Sequence, residues 1–359
     1  MSLKVDLHCH SQESDGSLSC GELLERAAEH GVTMLAITDH DTTAAHLQAR
    51  PIAKELCIQL IPAVEISAAT DNQELHIVGL GIDIDNEPLQ QLLEQNRYAR
   101  KERAKKILIK LQKAGCDDLS EALAQLVTGE VICRSHLAQL LCNEGIVNDF
   151  QKAFKSFLGK KKKAWVPIQW QDMALVIERI KSAGGVAVLA HPSKYKLSPI
   201  RLGLIIEAFT KAGGEAIELA YPGLNPADRA LLVRQVEQHQ LAVSQGSDFH
   251  HPGTTWTELG AFGVNPDSFN HTTPETDVSL VKNRRLPGGD PLILVLQHDP
   301  QPPRFKRQDP ATLQMGTMPN LGFERLALRR VADPVHRVDY KFPFRVFPIP
   351  IRVRHIDPV

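Results

Sequence analysis

The sequence predicts an α/β protein whose strands run parallel, interrupted by a helical insertion and followed by an irregular C-terminal tail. Short apolar runs alternate with helical patterns over residues 1–95 and 165–263, the rhythm of βα units. Between these stretches, from Asn86 to Leu158, helical periodicity takes over. The third observation is compositional: residues 265–359 hold 14 of the chain's 23 prolines and show no sustained periodicity. A length of 359 residues suits two domains, or one α/β barrel of about 250 residues with an insertion or tail.

Each element has a local reason. LKVDLH reads as the first strand, and SCGELLERAAEHG as a helix opened by a Ser19/Glu22 capping box and closed at Gly31. MLAITDH, LIPAVEIS and ELHIVGLGI read as further strands, with TTAAHLQARPIAKEL as the helix after the first of these. In the insertion, Ala104, Ile107, Leu108 and Leu111 share a helix face, and RSHLAQLLCNEG reads as a short helix. Alternation then resumes with WQDMALVIERIKSAGG, VAVLAHP, PIRLGLIIEAFTKAGG, AIELAYP, NPADRALLVRQVEQHQ and LAVSQGSDFH. The expected organisation is an α/β barrel over 1–95 and 165–263, a basic insertion over 96–164, and a Pro- and Arg-rich tail of unassigned role over 264–359.

With 43% hydrophobic residues and a net charge of −1, the composition excludes collagen, coiled coil and wholesale disorder. No apolar run approaches the roughly 18 residues that span a bilayer, and MSLKVDLHCH lacks the regions of a signal peptide. The expectation is a cytoplasmic protein with no membrane association and no obligate protein partner. The six cysteines form no CxxC pair and read as buried thiols. The small net charge conceals a segregation: −12 over 1–95, +8 over 96–164, −1 over 165–264 and +4 over 265–359. An acidic block followed by a basic one suits carboxylates that hold cations beside a segment that attracts an anion.

Almost every apolar run ends in a histidine or a carboxylate. His8, His10 and Asp15 follow the first; His40, Glu65 and His76 follow or lie within the next three; His191, Asp248 and His250 end two later ones. In parallel α/β proteins such ends converge on one face. Alternation along a strand turns His8 and His10 the same way and Cys9 the other, and Asp248 and His250 have the same spacing. These nine groups exceed what one metal needs, and mixed imidazole and carboxylate ligation suits zinc, manganese or iron rather than calcium. Single histidines elsewhere, such as His46, read as ordinary structural groups.

DLHCHS with Asp15, TDHDT, PAVEIS, LHIVG, LAHP and GSDFHHPG, in this order, resemble the successive motifs of the PHP (polymerase and histidinol phosphatase) superfamily. The resemblance covers residues 1 to about 263, and residues beyond it have no counterpart. It implies a distorted seven-stranded, TIM-like β/α barrel with three divalent metal ions, Mn2+ foremost and Fe2+ or Zn2+ as alternatives. One ion would take His8, His10, Glu65 and Asp248, a second Glu65, His76 and His191, and the third Asp15, His40 and His250. The insertion, with Arg134, Ser135 and His136, resembles the stand-alone nucleotide phosphoesterase branch, labelled TrpH-like. Members remove the 3′-phosphate of nucleoside 3′,5′-bisphosphates or act as 5′-3′ exoribonucleases on short RNA.

The expected chemistry is a metal-bound hydroxide attacking a phosphoryl group, with Asp6 and Asp39 as carboxylates that orient ligating imidazoles. Arg134, Ser135 and His136 would bind a nucleotide or short RNA, the arginine offering a fork to a phosphate. Other PHP phosphatases such as histidinol phosphatase, an amidohydrolase-like metal hydrolase, and a non-catalytic metal- or RNA-binding module are the competing readings.

Overall fold

The computed structural model describes residues 4–71, 73–253 and 257–262, together with the backbone of Lys282–Arg285 and Pro291–Ile293. Chain contacts divide it into Met1–Arg304 and Phe305–Val359, and the second unit lies outside the described residues. So does most of the expected tail. The two short stretches described within it pair as antiparallel strands.

In chain order come β1 (Val5–Cys9), α1 (Cys20–Glu29), β2 (Met34–Ile37), α2 (Ala45–Glu55), β3 (Gln59–Ile61), β4 (Ala63–Thr70) and β5 (Gln73–Leu80). The insertion supplies α3 (Glu87–Lys113), α4 (Ser120–Leu126), α5 (Arg134–Asn143), α6 (Phe150–Ala153) and a π-helical turn, Phe154–Leu158. Then follow β6 (Gln171–Asp172), α7 (Met173–Ser182), β7 (Val186–Leu189), α8 (Pro199–Lys211), β8 (Ala216–Ala220), α9 (Pro226–His239) and β9 (Ala242–Gln245). The Ser19/Glu22 capping box forms, and Gly31 follows at φ +71°, the left-handed backbone that closes a helix.

Among the described residues the strands do not form a closed seven-stranded barrel. They make a parallel three-stranded sheet, β1-β2-β3, and a mixed six-stranded sheet, β6-β4-β5-β7-β8-β9. Two departures from the sequence expectation explain this. LIPAVEIS is two strands, β3 and β4, divided at Pro62, which lacks the N–H that a ladder needs. β4 and β5 then form an antiparallel hairpin, and β5 is also antiparallel to β7, so the sheet reverses where parallel strands were expected. The two sheets meet through single bridges at their functional end, Cys9 with Phe249 and His40 with Glu65.

Three cores position that end. Val5, Leu7, Ala36, Val78, Leu80 and Val188 pack between the sheets. α1 and α2 cover β1 and β2 through Leu23, Leu24, Ala49 and Cys9. α7, α8 and α9 cover the larger sheet, joined there by Leu89, Leu92 and Leu93 from the start of α3. The insertion has its own core, in which Ala104, Ile107 and Leu111 of the same helix pack against Leu137, Leu141 and Leu158. The boundary expected after residue 95 therefore falls inside one 27-residue helix, whose first half belongs to the sheet core and whose second half belongs to the insertion. Of the cysteines, Cys9, Cys20 and Cys133 are buried as expected, but Cys57 is exposed in the turn after α2. No helix among the described residues is long and apolar enough to cross a membrane.

Candidate active site

The strand ends bring all nine expected ligand groups into four overlapping clusters: His8, His10 and Asp248; His8, Glu65 and His191; His40, Glu65 and His76; and His10, Asp15, His40 and His250. β1 and the residue that follows it place His8 and His10 at the site, both fully buried, while Cys9 joins the opposite core. The turn after β9 lies against β1, where Gly246 is required because a Cβ would stand 2.2 Å from that of His8. Asp248 and His191 reach the site from left-handed backbone, at φ 51° and 28°. Such strain costs on the order of 1 kcal/mol or more and is typical of functional turns. Asp248 and His250 are thus brought together by a turn rather than by strand alternation.

Glu65 is the hub. Its Oε1 lies 2.9 Å from His76 Nδ1, 2.9 Å from His191 Nε2 and 3.4 Å from His8 Nε2. Its Oε2 lies 2.9 Å from His40 Nδ1 and 3.4 Å from His10 Nε2. Asp248 Oδ1 stands 3.5 Å from His8 Nε2 and 3.3 Å from His10 Nε2, and those two nitrogens are 3.2 Å apart. Ligand bonds of about 2.0–2.2 Å around one ion would separate neighbouring donor atoms by roughly 3.0–3.5 Å. These spacings fit a divalent cation.

The hydrogen-bond inventory agrees. Glu65 Oε2 and His40 Nδ1 are close, yet neither makes a hydrogen bond, and buried Asp15 Oδ1 is likewise unpaired among the described residues. Buried polar atoms are normally paired, so unpaired donor atoms converging on one point call for a cation. The charges point the same way. Burial pushes the Glu65 carboxyl up, but His76, His40 and His8 outweigh it and hold it well below the usual carboxylate range. Burial is likewise outweighed at Asp248, by Lys194 and His8, and at Asp15, by His250 and His40. His250 is raised to about 9 because Asp15 overcomes burial, whereas burial and His250 together push His10 down to about 3. Without a cation, the buried carboxylates are balanced by Lys194 at Asp248 and otherwise by protonation of some of the imidazoles that would ligate it.

Two positioning groups escape a sequence reading. Glu218 on β8 lies 2.6 Å from His8 Nδ1 and accepts a second bond of 2.6 Å from the His191 backbone N–H. Its only sequence signal is a lone carboxylate inside the apolar AIELA. Lys194, in the turn after His191, donates to Asp248. The expected positioning carboxylates act differently. Asp6 accepts from the backbone N–H groups of His8, Ser247 and Gly260, pinning β1 to the chain after β9. Asp39 accepts from Ser11 and from Ser14, whose hydroxyl lies 3.4 Å from His10 Nδ1. Neither is bonded directly to a ring.

Beside the cluster, a cavity of about 200 Å³ runs from Asp15, His40 and His76 to Arg100, Arg103 and Arg134 of the insertion. Phe150, Phe154 and Trp170 add aromatic surface to it. Of the expected substrate-binding residues, Arg134 lines this cleft with its side chain 38% exposed, 3.6 Å from Glu74. Ser135 also lines it and donates to Asp15. His136 does not line it: its Nδ1 accepts the Cys133 N–H in the cap of α5.

The chain that carries this cluster is similar to known proteins. The PHP domain matches residues 6–169. A 5′-3′ exoribonuclease Rnm of Escherichia coli is 42% identical over 71% of this chain and 87% of its own length. The chain belongs to the PHP family. A 3′,5′-nucleoside bisphosphate phosphatase of Chromobacterium violaceum is 35% identical over 71% of this chain and 90% of its own length. Among solved structures, an amidohydrolase from the same organism, with bound sulfate and no metal, is 34% identical and has a TM-score of 0.68, covering 72% of this chain and 90% of that one. The resemblance read from DLHCHS to GSDFHHPG is thereby borne out, and so is the nucleotide phosphoesterase branch.

Proposed function

We propose that this PHP protein is a metal-dependent phosphoesterase that removes the 3′-phosphate of nucleoside 3′,5′-bisphosphates and degrades short RNA from its 5′ end. The observation that carries this reading is the fan of five imidazoles about the two oxygens of Glu65, opening into an arginine-lined cleft. The donor set favours three divalent ions, with Mn2+ the first choice. His8, His10, Glu65 and Asp248 would hold one, Glu65, His76 and His191 a second, and Asp15, His40 and His250 the third. His10 also falls within reach of the last group.

When bound, the ions supply a hydroxide near neutral pH and offset the charge that develops on the phosphoryl group. The chain's own residues do the rest. Glu218 fixes the His8 ring through Nδ1, so that Nε2 keeps its lone pair toward the cluster. The Asp248 carbonyl does the same for His250 through its Nδ1. Lys194 neutralises Asp248 and brings a positive charge to the mouth of the site, its side chain 41% exposed. Arg134 faces the cleft where a second phosphate would lie.

The test is turnover by the Mn2+-loaded protein of adenosine 3′,5′-bisphosphate, a 5′-phosphorylated RNA oligomer, histidinol phosphate and an aryl phosphate. The bisphosphate and the RNA should be hydrolysed at least tenfold more efficiently than the other two. A preference for histidinol phosphate would move the protein to that branch. Metal uptake with no phosphoester hydrolysis would leave a binding module or an amide-directed hydrolase.

A further inference from the structure

The His40 ring is placed differently from its neighbours. Glu218 fixes His8 and the Asp248 carbonyl fixes His250. Both nitrogens of His40 instead face carboxylates of the cluster itself, Nδ1 at 2.9 Å from Glu65 and Nε2 at 3.7 Å from Asp15, and among the described residues no group outside the cluster is hydrogen-bonded to the ring. Its direction is therefore set by the backbone that carries it, and that backbone turns at Asp41. This residue is fully buried and sits at φ 51°, left-handed backbone that an aspartate tolerates but does not prefer. Its N–H donates to the Glu65 carbonyl at 2.8 Å, beside the bridge between His40 and Glu65 that joins the two sheets.

The oxygens of Asp41 hold this turn to α3 and β4. Oδ1 accepts from the Ser67 backbone N–H at 2.9 Å and from Asn96 Nδ2 at 2.8 Å, Oδ2 accepts from Arg100 Nε at 2.8 Å, and the carbonyl accepts from Arg97 Nη1 at 3.0 Å. Asn96 and Arg100 also donate to Ser67, at its carbonyl and its hydroxyl. Asn96, Arg97 and Arg100 share one helix face by their spacing. They stand at the middle of α3, between Leu93 of the sheet core and Ala104 of the insertion core. A buried network with every bond made is rigid, so the turn that aims His40 is fastened to the helix that carries the insertion. The insertion reaches the same group of ligands a second time through Ser135, which donates to Asp15. The other ligands are braced from the sheets, His8 by Glu218 and Asp248 by Lys194.

We propose that Asp41 is a positioning residue for His40, and that through Asp41 and Ser135 the helical insertion governs how tightly the ion of Asp15, His40 and His250 is held, separately from the other two. The inference rests on the three-ion assignment made with the phosphoesterase reading above. It gives the second aspartate of TDHDT, which supplies no ligand atom in that assignment, a task of its own.

The experiment titrates Mn2+ into metal-free protein against a competing chelator, a readout that needs no turnover. The wild type should take up three ions, and fewer than three overturns the proposal. Asp41→Asn keeps the size and tolerates the left-handed turn but withdraws the charge opposite Arg100. It should weaken one ion about 10- to 100-fold, the range for lost support of a metal ligand, and the other two less than threefold. Unchanged binding overturns the proposal. So does an equal loss at all three, which a general loosening of the fold would give. Because His40 also lies beside Glu65 and His76, the ion is identified in an Asp15→Ala background, which lacks a ligand of the proposed ion alone. There Asp41→Asn should change the two remaining affinities less than threefold, since both substitutions act on one ion; a further tenfold loss overturns the proposal. If Asp41→Asn does not fold, Asn96→Ala leaves the Arg100 pair in place and should weaken the same ion at least threefold; no weakening overturns the proposal. Three ions bound, one of them sensitive to Asp41→Asn, by a protein that cleaves no phosphoester sinks the phosphoesterase reading and keeps this one. Hydrolysis with Mn2+ binding indifferent to Asp41→Asn does the reverse.

Discussion

The cluster at the strand ends and the arginine wall of the insertion face one cleft, yet they are built in opposite ways. In the cluster the central side chains are approached from several sides: Glu65 meets five imidazoles, and His8 alone touches Glu65, Glu218, His10 and Asp248. Its side chains come from short strands and the turns that follow them, so their positions are over-determined by two sheets. The wall is carried by helices with a core of their own, and what distinguishes its arginines is how far each is already satisfied. Chemistry is held by redundancy, whereas the charges of the wall are matched unevenly, Arg100 by Asp41 and Arg103 with its Nη2 unpaired among the described residues.

The sharpest way to break this contrast is at the hub. Glu65→Gln keeps the shape and removes the charge shared by the imidazoles, so metal content should fall and kcat should drop on the order of 10³-fold, about 4 kcal/mol. Metal analysis of the purified variant checks it, and full occupancy with a near-normal rate would defeat the hub assignment.

His46 offers a comparison between a histidine of the cluster and one outside it. It is buried in the first turn of α2, its Nε2 2.8 Å from the Ala63 carbonyl, and burial pushes it down to about 4. Because the folded pKa lies below the unfolded value of about 6.5, the folded state gains from a neutral ring above pH 6.5. That contribution is lost as pH falls toward 4, in total about 3 kcal/mol. In metal-free protein, urea midpoints at pH 7 and pH 5 should show the wild type losing about 2 kcal/mol more than His46→Gln over this interval. Parallel losses in the two proteins would assign the acid sensitivity to the cluster alone.

Removing one positioning contact should cost less than removing the hub. Glu218→Gln weakens its hold on both His8 and the His191 backbone, and a loss of about 10- to 100-fold in metal affinity, roughly 1.4–2.7 kcal/mol, is expected by competitive chelation. Retained affinity would show that packing alone orients His8. The smallest effect belongs to the wall. Since Arg134 is partly exposed and only 3.6 Å from Glu74, Arg134→Ala should raise KM for the bisphosphate about three- to tenfold, around 1 kcal/mol, and less so at high salt. An identical shift on an aryl monophosphate would place it at the reacting group instead.

The difference between the two regions is also a difference in legibility. His8 and His10 could be placed on one face because strand alternation is local, and Ser19 with Glu22 capped a helix for the same reason. Helical periodicity in α3 located apolar Ala104, Ile107 and Leu111, but it could not say that Leu89 and Leu93 pack on a different core from theirs. Nor could it separate Arg100 from Arg103, which lie three residues apart in one predominantly basic stretch.

From the sequence alone come the α/β class, the helical insertion and the nine groups at the strand ends, because each is written in short-range patterns of hydrophobicity, capping and alternation. The rest waits on tertiary structure. The antiparallel β4–β5 hairpin in place of a parallel barrel, Glu218 under His8, and the retreat of His136 into its helix cap all depend on partners distant in sequence or on a choice between competing local bonds. Whether a buried charge is satisfied, as Arg100 is by Asp41, or left with an open edge, as Arg103 is, is decided only when those partners are in place, since the cost of an unpaired group is set by what surrounds it.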